Sequence, residues 1–272
     1  MFHAMSRIFR KARSDMPSTG RSSKYARYAV GEIVLLVIGI LIALQIDTWN
    51  DGRVGRQKER EYLTSMLTDL RADIQGIDEA IRGNTILLGG LDDLLMLLAN
   101  PTSDVAYPRD VFLSSLVHTY WHMRVDFSEL TMTQLKYSGD LQLIESSDVR
   151  EAMLGHEKGI ETSRHQYAEL TSYFHVLEAT QKKLLNYALA KQGFEYIEGD
   201  YLRMLEPPEK FEPLVPQGEY FVTTDPALLA NYYGDVLFYR TAMNNTVWFL
   251  GEQRRMAEDL IRLISSGQGI SE

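Results

Sequence analysis

Two rhythms divide the chain. From Ile33 to Leu44, twelve consecutive residues carry neither a charge nor a hydrogen-bonding side chain. From Arg56 onward, apolar residues recur three and four apart, the spacing that lines one face of an α-helix. Leu63, Leu67, Leu70, Ile74, Ile77, Ile81, Asn84, Leu88, Leu91, Leu95 and Leu98 keep that spacing without a slip. Met66, Leu87 and Leu94 widen the stripe beyond a two-stranded seam, which predicts a bundle helix. Gly83, Gly89 and Gly90 each cost about 1 kcal/mol relative to Ala inside a helix and predict a bend. Asn84, the polar member of the seam, marks either a register device or a bent, wet stretch.

The same rhythm returns twice. Pro101 and Pro108 bracket a loop, followed by a predicted helix from Asp110 to His122 and a further helical piece from Ser128 to Ser138 that Gly139 should end. Ser147 is placed to cap a third helix running to about Lys191 along Val149, Met153, His156, Ile160, Tyr167, Leu170 and Leu177. Residues 193–224 break the pattern with four prolines and carry seven carboxylates against Arg203 and Lys210, so a solvated connection is the plain expectation. Asp225 followed by Pro226 is a strong helix start, and the fourth helix should reach Ile264, leaving 265–272 as a frayed tail. The predicted fold is all-α: one N-terminal transmembrane helix, then an antiparallel up-down four-helix bundle over 56–264. Its second helix is broken near Met123–Phe127, and a Pro-rich acidic loop precedes its last helix.

The apolar run is read as a membrane span because of its flanks. About 20 mostly apolar residues cross the hydrocarbon layer, and twenty lie between Tyr28 and Trp49. Tyr25, Tyr28 and Trp49 suit the two headgroup regions. Glu32 sits near one end, either as an interfacial carboxylate or within an oligomeric contact or proton path. Gly39 and Ala43 form a small-xxx-small pair through which two such helices could approach. The long leader and the lack of a small-residue cleavage site favour an uncleaved anchor over a signal peptide. Asp51-Gly52-Arg53-Val54-Gly55 predicts a hinge over 50–55.

Charge adds an orientation. Residues 1–27 hold seven Lys and Arg against Asp15, whereas the whole chain is −9. Basic residues beside a span mark the cytoplasmic side, so the disordered leader should lie inside and the large acidic body outside. Arg53, Arg56, Lys58 and Arg60 oppose this from the other flank. A basic leader beside anionic lipid needs no nucleic-acid partner. The chain has no cysteine, which excludes disulfides and thiol nucleophiles.

Chemistry is sparse. There is no P-loop, G-x-S-x-G, H-E-x-x-H or Rossmann glycine pattern, and no calcium-loop spacing in 193–224. His118 and His122, four apart on one helix, could reach one metal, and Glu161 and His165 repeat that spacing on the third helix. The ordinary reading of these residues is packed or surface side chains, and no cofactor is expected. Two functions stay open: a non-enzymatic envelope protein that senses, scaffolds or binds a partner, with a homo-oligomer through the anchor or bundle among the candidates, and a metal-binding or metal-dependent enzyme using His118, His122, Glu161 and His165.

The run GEIVLLVIGILIALQIDTWND, preceded by KYARYAV, resembles the N-terminal signature of an uncharacterised bacterial single-pass envelope protein family, a domain of unknown function. The stretch TQLKYSGDLQLIESSDVREAML is similar to that family's L-K-x-S-G-x-L-x-x-I-x-x-x-x-L-R pattern, with Val149 where a Leu is usual. The resemblance implies a topology, with an inner-membrane anchor and a periplasmic domain. It supplies no reaction, cofactor or catalytic residue.

Overall fold

The computed structural model describes residues 22–101 and 107–268. The expected leader 1–27 falls largely outside the described residues, as do the last residues of the tail. The chain divides into two compact units, Met1–Lys58 and Glu59–Glu272. Helix α1 (Ser22–Ala99) supplies the described part of the first and opens the second. Residues 50–55, expected to hinge, are helical; Gly52 and Gly55 cost a helix about 1 kcal/mol each without breaking it.

The second unit is a packed multi-helix domain. After α1 come α2 (Tyr107–His118), α3 (Leu130–Ser138), α4 (Ser147–Leu184), α5 (Lys191–Ile197) and α6 (Pro226–Gln268). Three apolar clusters stack along it, each built from α1, α4 and α6. The first joins Leu63 and Leu70 to Val149, Met153 and Leu260. The second joins Ile77 to Ile160, Tyr167 and Leu250. The third joins Leu87 and Leu94 to Leu177, Leu184, Tyr232 and Val236. Residue numbers climb through the clusters along α1 and α4 and descend along α6, so α6 runs antiparallel to the other two. The seam expected from Leu63 to Leu98 is the face that α1 buries.

The break expected near Met123–Phe127 is present in the second passage and is longer than expected. Leu116 and Val117 lie in the third cluster, Phe127 in the second, and Leu135 and Ile144 in the first, so this stretch descends the domain as a bundle helix would. Only its ends are helical. The helix expected to reach His122 stops at His118, and residues 121–129 carry no regular structure. Ser115 Oγ and Thr119 Oγ1 each donate to the carbonyl four residues earlier, at 2.6 Å. Hydroxyls that compete for backbone partners in this way weaken a helix end.

The helix ends follow local chemistry. Gly139 closes α3 in the left-handed region at φ +74°, where glycine carries no Cβ penalty. Ser146 rather than Ser147 caps α4, its Oγ accepting from the Val149 N–H at 3.3 Å. Helix α4 stops at Leu184, short of Lys191. Asp225 Oδ1 accepts from the Ala227 N–H at 3.0 Å and so caps α6.

The stretch expected as a solvated connection is folded. Leu185 and Phe221 form an antiparallel bridge, flanked by Asn186 N–H to Tyr220 O at 2.9 Å and Val222 N–H to Leu184 O at 2.8 Å. Between the two sides of this bridge, α5 and a series of 3-10 turns form a cap that packs into the third cluster. Met204 and Phe211 are fully buried there. The prolines that signal a loop start two of these turns, at Pro208 and after Glu212.

Candidate functional site

The first candidate surface is the apolar part of α1. Every residue from 29 to 50 is exposed, including Ile33, Leu35 and Trp49. Among the described residues one helix is long and apolar enough to cross a membrane, and its apolar window, with mean hydropathy 2.6, buries nothing against the chain. Glu32, Gly39 and Ala43 all lie on this exposed helix. A Cβ added at Gly39 would meet no atom within 4 Å, so nothing in the single chain uses its small size.

The four candidate metal ligands are not brought together. His118 and His122 are buried, whereas Glu161 and His165 are exposed. Among the described residues no group of three or more His, Asp or Glu side chains is placed to hold a metal ion. The two imidazoles have other surroundings. His118 lies against Gly90, where an added Cβ would stand 2.2 Å from the ring, and its Nδ1 is 3.2 Å from Ser114 Oγ. His122 stacks on Tyr167 with ring centres 6.2 Å apart, and its Nδ1 is 3.5 Å from Tyr239 Oη. Burial holds both below the usual imidazole range, His122 at about 4 with Arg124 adding to the effect.

What sequence reasoning missed is the polar row that serves the unstructured passage. Backbone groups in a buried, non-helical segment need partners from elsewhere. Asn84 serves Met123, Tyr167 Oη accepts from Val125 N–H at 3.1 Å, Asp73 Oδ1 accepts from Ser128 N–H at 2.7 Å, and Asp69 Oδ2 accepts from Thr131 N–H at 3.3 Å. The glycines belong to the same arrangement. A Cβ at Gly76 would touch Val125 at 3.4 Å, and one at Gly83 would stand 1.9 Å from Met123 Sδ. Gly83 and Gly90 therefore admit close neighbours. Asp73 did leave a signal: it lies three residues after Leu70 and four before Ile77, on the apolar stripe.

Beneath this row sits a buried polar pair. Asp73 Oδ2 is 3.9 Å from His156 Nε2, and neither atom has a hydrogen-bond partner. Burial pushes Asp73 up to about 6, against the pull of the Ser128 N–H, and Asp69 and Asp126 raise it further. Burial lowers His156 to about 4. Gln253 Nε2 donates to the His156 carbonyl at 3.0 Å.

The second candidate surface is a groove of about 470 Å³ where the end of α2 meets the cap, lined by Tyr120, Tyr187, Lys191, Phe194, Glu195 and Glu198, together with Ile197 and Tyr201. Tyr120 packs on Phe194 at 4.9 Å, and Tyr201 stacks on Trp121 at 5.6 Å.

Fold and surfaces together describe an all-α protein with one N-terminal helix long and apolar enough to span a bilayer. Residues 32–99 match the model of a family of unknown function (DUF6090), which covers the apolar stretch and the seam of α1. The second motif, at residues 133–154, lies outside that match. No curated protein and no solved structure matches the chain.

Proposed function

We propose that this is a single-pass envelope protein of the bacterial inner membrane that acts by binding rather than catalysis. In this reading 28–49 cross the bilayer, the basic leader is cytoplasmic, and the helical body senses, scaffolds or captures a partner in the periplasm. The observation that carries it is the bare surface of 33–44, exposed throughout: a helix apolar on all sides far exceeds the exposed patches soluble proteins tolerate. Lipid is the solvent that such a surface fits. The leader's charge supplies the orientation, and Gly39 and Ala43, with Glu32 near the end, would be the contact if two anchors pair.

Two measurements test it. Alkaline carbonate extraction should leave the full-length protein with the membrane pellet. A C-terminal fusion to an enzyme active only outside the cytoplasm should be active, and a fusion fluorescent only inside should be dark. Release of intact protein by carbonate overturns the anchor, and the opposite fusion pattern overturns the orientation.

A further inference from the structure

We propose that the groove between Tyr120, just past the end of α2, and the cap is a binding site for an organic cation, an alkylated ammonium or guanidinium group. The proposal rests on the reading of the domain as a binding module and names the chemistry it would bind. The groove's volume, about 470 Å³, falls within the roughly 300–1,000 Å³ common for small-ligand sites. Its walls are unusual in composition. Four of the eight lining residues are aromatic, and Tyr120 and Tyr201 remain 38% and 51% exposed. Each is braced from another side, Tyr120 by Phe194 and also edge-on by Phe174, and Tyr201 by Trp121. Rings held in this way lose little freedom when a ligand arrives.

Charge selects the ligand. Aromatic faces are electron-rich and attract cations. Three charged residues line the groove, and its cation is already engaged: Lys191 Nζ lies 3.7 Å from Glu195 Oε1. Glu198 has no ion pair among the described residues, which leaves the groove one net negative charge beside the rings. The remainder of 193–224 is acidic as well, with five further carboxylates against Arg203 and Lys210. An anion is repelled here, and a neutral apolar ligand makes no use of Glu198. A cation with an alkyl shell uses both the rings and the carboxylate.

Such a group can come from a free solute or from a basic side chain of another protein. The test uses full-length protein in detergent, with Trp49→Phe and Trp248→Phe leaving Trp121, stacked on Tyr201, as the reporter. It is titrated with choline, with N-acetyl-arginine amide and with 3,3-dimethylbutan-1-ol, the neutral carbon analogue of choline. A saturable change in Trp121 emission is expected with at least one cation and little with the neutral analogue. The tighter of the two cations identifies the source, a free ammonium solute or an arginine side chain. Glu198→Gln and Tyr120→Ala should each weaken binding about five- to tenfold, and Glu198→Gln, at an exposed position, should leave the melting temperature unchanged. No saturable response to either cation, equal binding of the neutral analogue, or indifference to Glu198→Gln overturns the proposal. The titration does not depend on the anchor, so its failure and that of the membrane reading are separable.

Discussion

The side chain of Asn84 takes both backbone groups of Met123. Its Nδ2 donates to the Met123 carbonyl at 2.9 Å, and its Oδ1 accepts from the Met123 N–H at 2.8 Å. Fully buried in the α1 seam, it does for one residue of the second passage what a neighbouring strand does in a sheet.

Asn84→Leu should therefore cost far more than a surface change. It leaves a buried donor and a buried acceptor unpaired, each worth about 1–3 kcal/mol. A loss of about 2–4 kcal/mol is expected in chemical denaturation followed by tryptophan emission. A loss within 0.5 kcal/mol, the size of an ordinary surface substitution, would mean that water takes over both groups.

Adjacent glycines should respond with opposite sign. Gly89 is exposed, and an added Cβ meets nothing within 4 Å, whereas at Gly90 it would stand 2.2 Å from the His118 ring. Gly89→Ala is expected to stabilise by about 0.5–1 kcal/mol through helix propensity. Gly90→Ala should destabilise by about 1–3 kcal/mol through overpacking. Paired melting curves of the two variants check this directly.

Acid should weaken the domain between about pH 6.5 and 4. Burial lowers His122 and His156 from 6.5 to about 4, so unfolding takes up protons in that window, and stability falls as the pH drops through it. Asp73 acts in the opposite sense. Its folded value is raised from 3.8 to about 6, so its contribution is lost as the pH climbs across that interval. Two histidines outweigh one aspartate. Asp73→Asn should melt higher than the native protein above pH 6 and lose stability more steeply on acidification, as melting temperatures across pH 4–8 would show.

Charges at the centre of the span should abolish anchoring. Ile38→Arg with Leu41→Arg adds two arginines to the exposed apolar stretch, each costing about 2.5–3.5 kcal/mol on insertion scales. The variant should lose carbonate resistance and fail to activate a C-terminal periplasmic reporter. Full retention in the pellet would place the membrane contact elsewhere.

The long helices were legible because burial there follows a simple period. Leu70, Leu91, Met153 and Leu170 fall on the expected stripes and are buried. Even the interruption near Met123–Phe127 left a trace. The cap did not, since 3-10 turns share no period with α-helices and their prolines read as solvent-facing loop. Met204 and Phe211 are buried in the third cluster, and the Leu185–Phe221 bridge that closes this segment is a pairing across the chain that no local pattern announces. The histidines misled for a related reason. A spacing of four says that two side chains share a face, but which face is buried depends on partners far along the chain. His118 and His122 turn inward, while Glu161 and His165 turn to solvent.

The second passage has a consequence for how the body assembles. Its backbone depends on side chains 39 to 62 residues away, on α1 and α4. Three of those bonds come from α1 and one from Tyr167 on α4, and closing such long loops is entropically expensive. Residues 121–129 are thus expected to dock after the helical scaffold has formed. They should also be the first to come loose when it loosens, exposing Arg124 to trypsin before the helices themselves are cut.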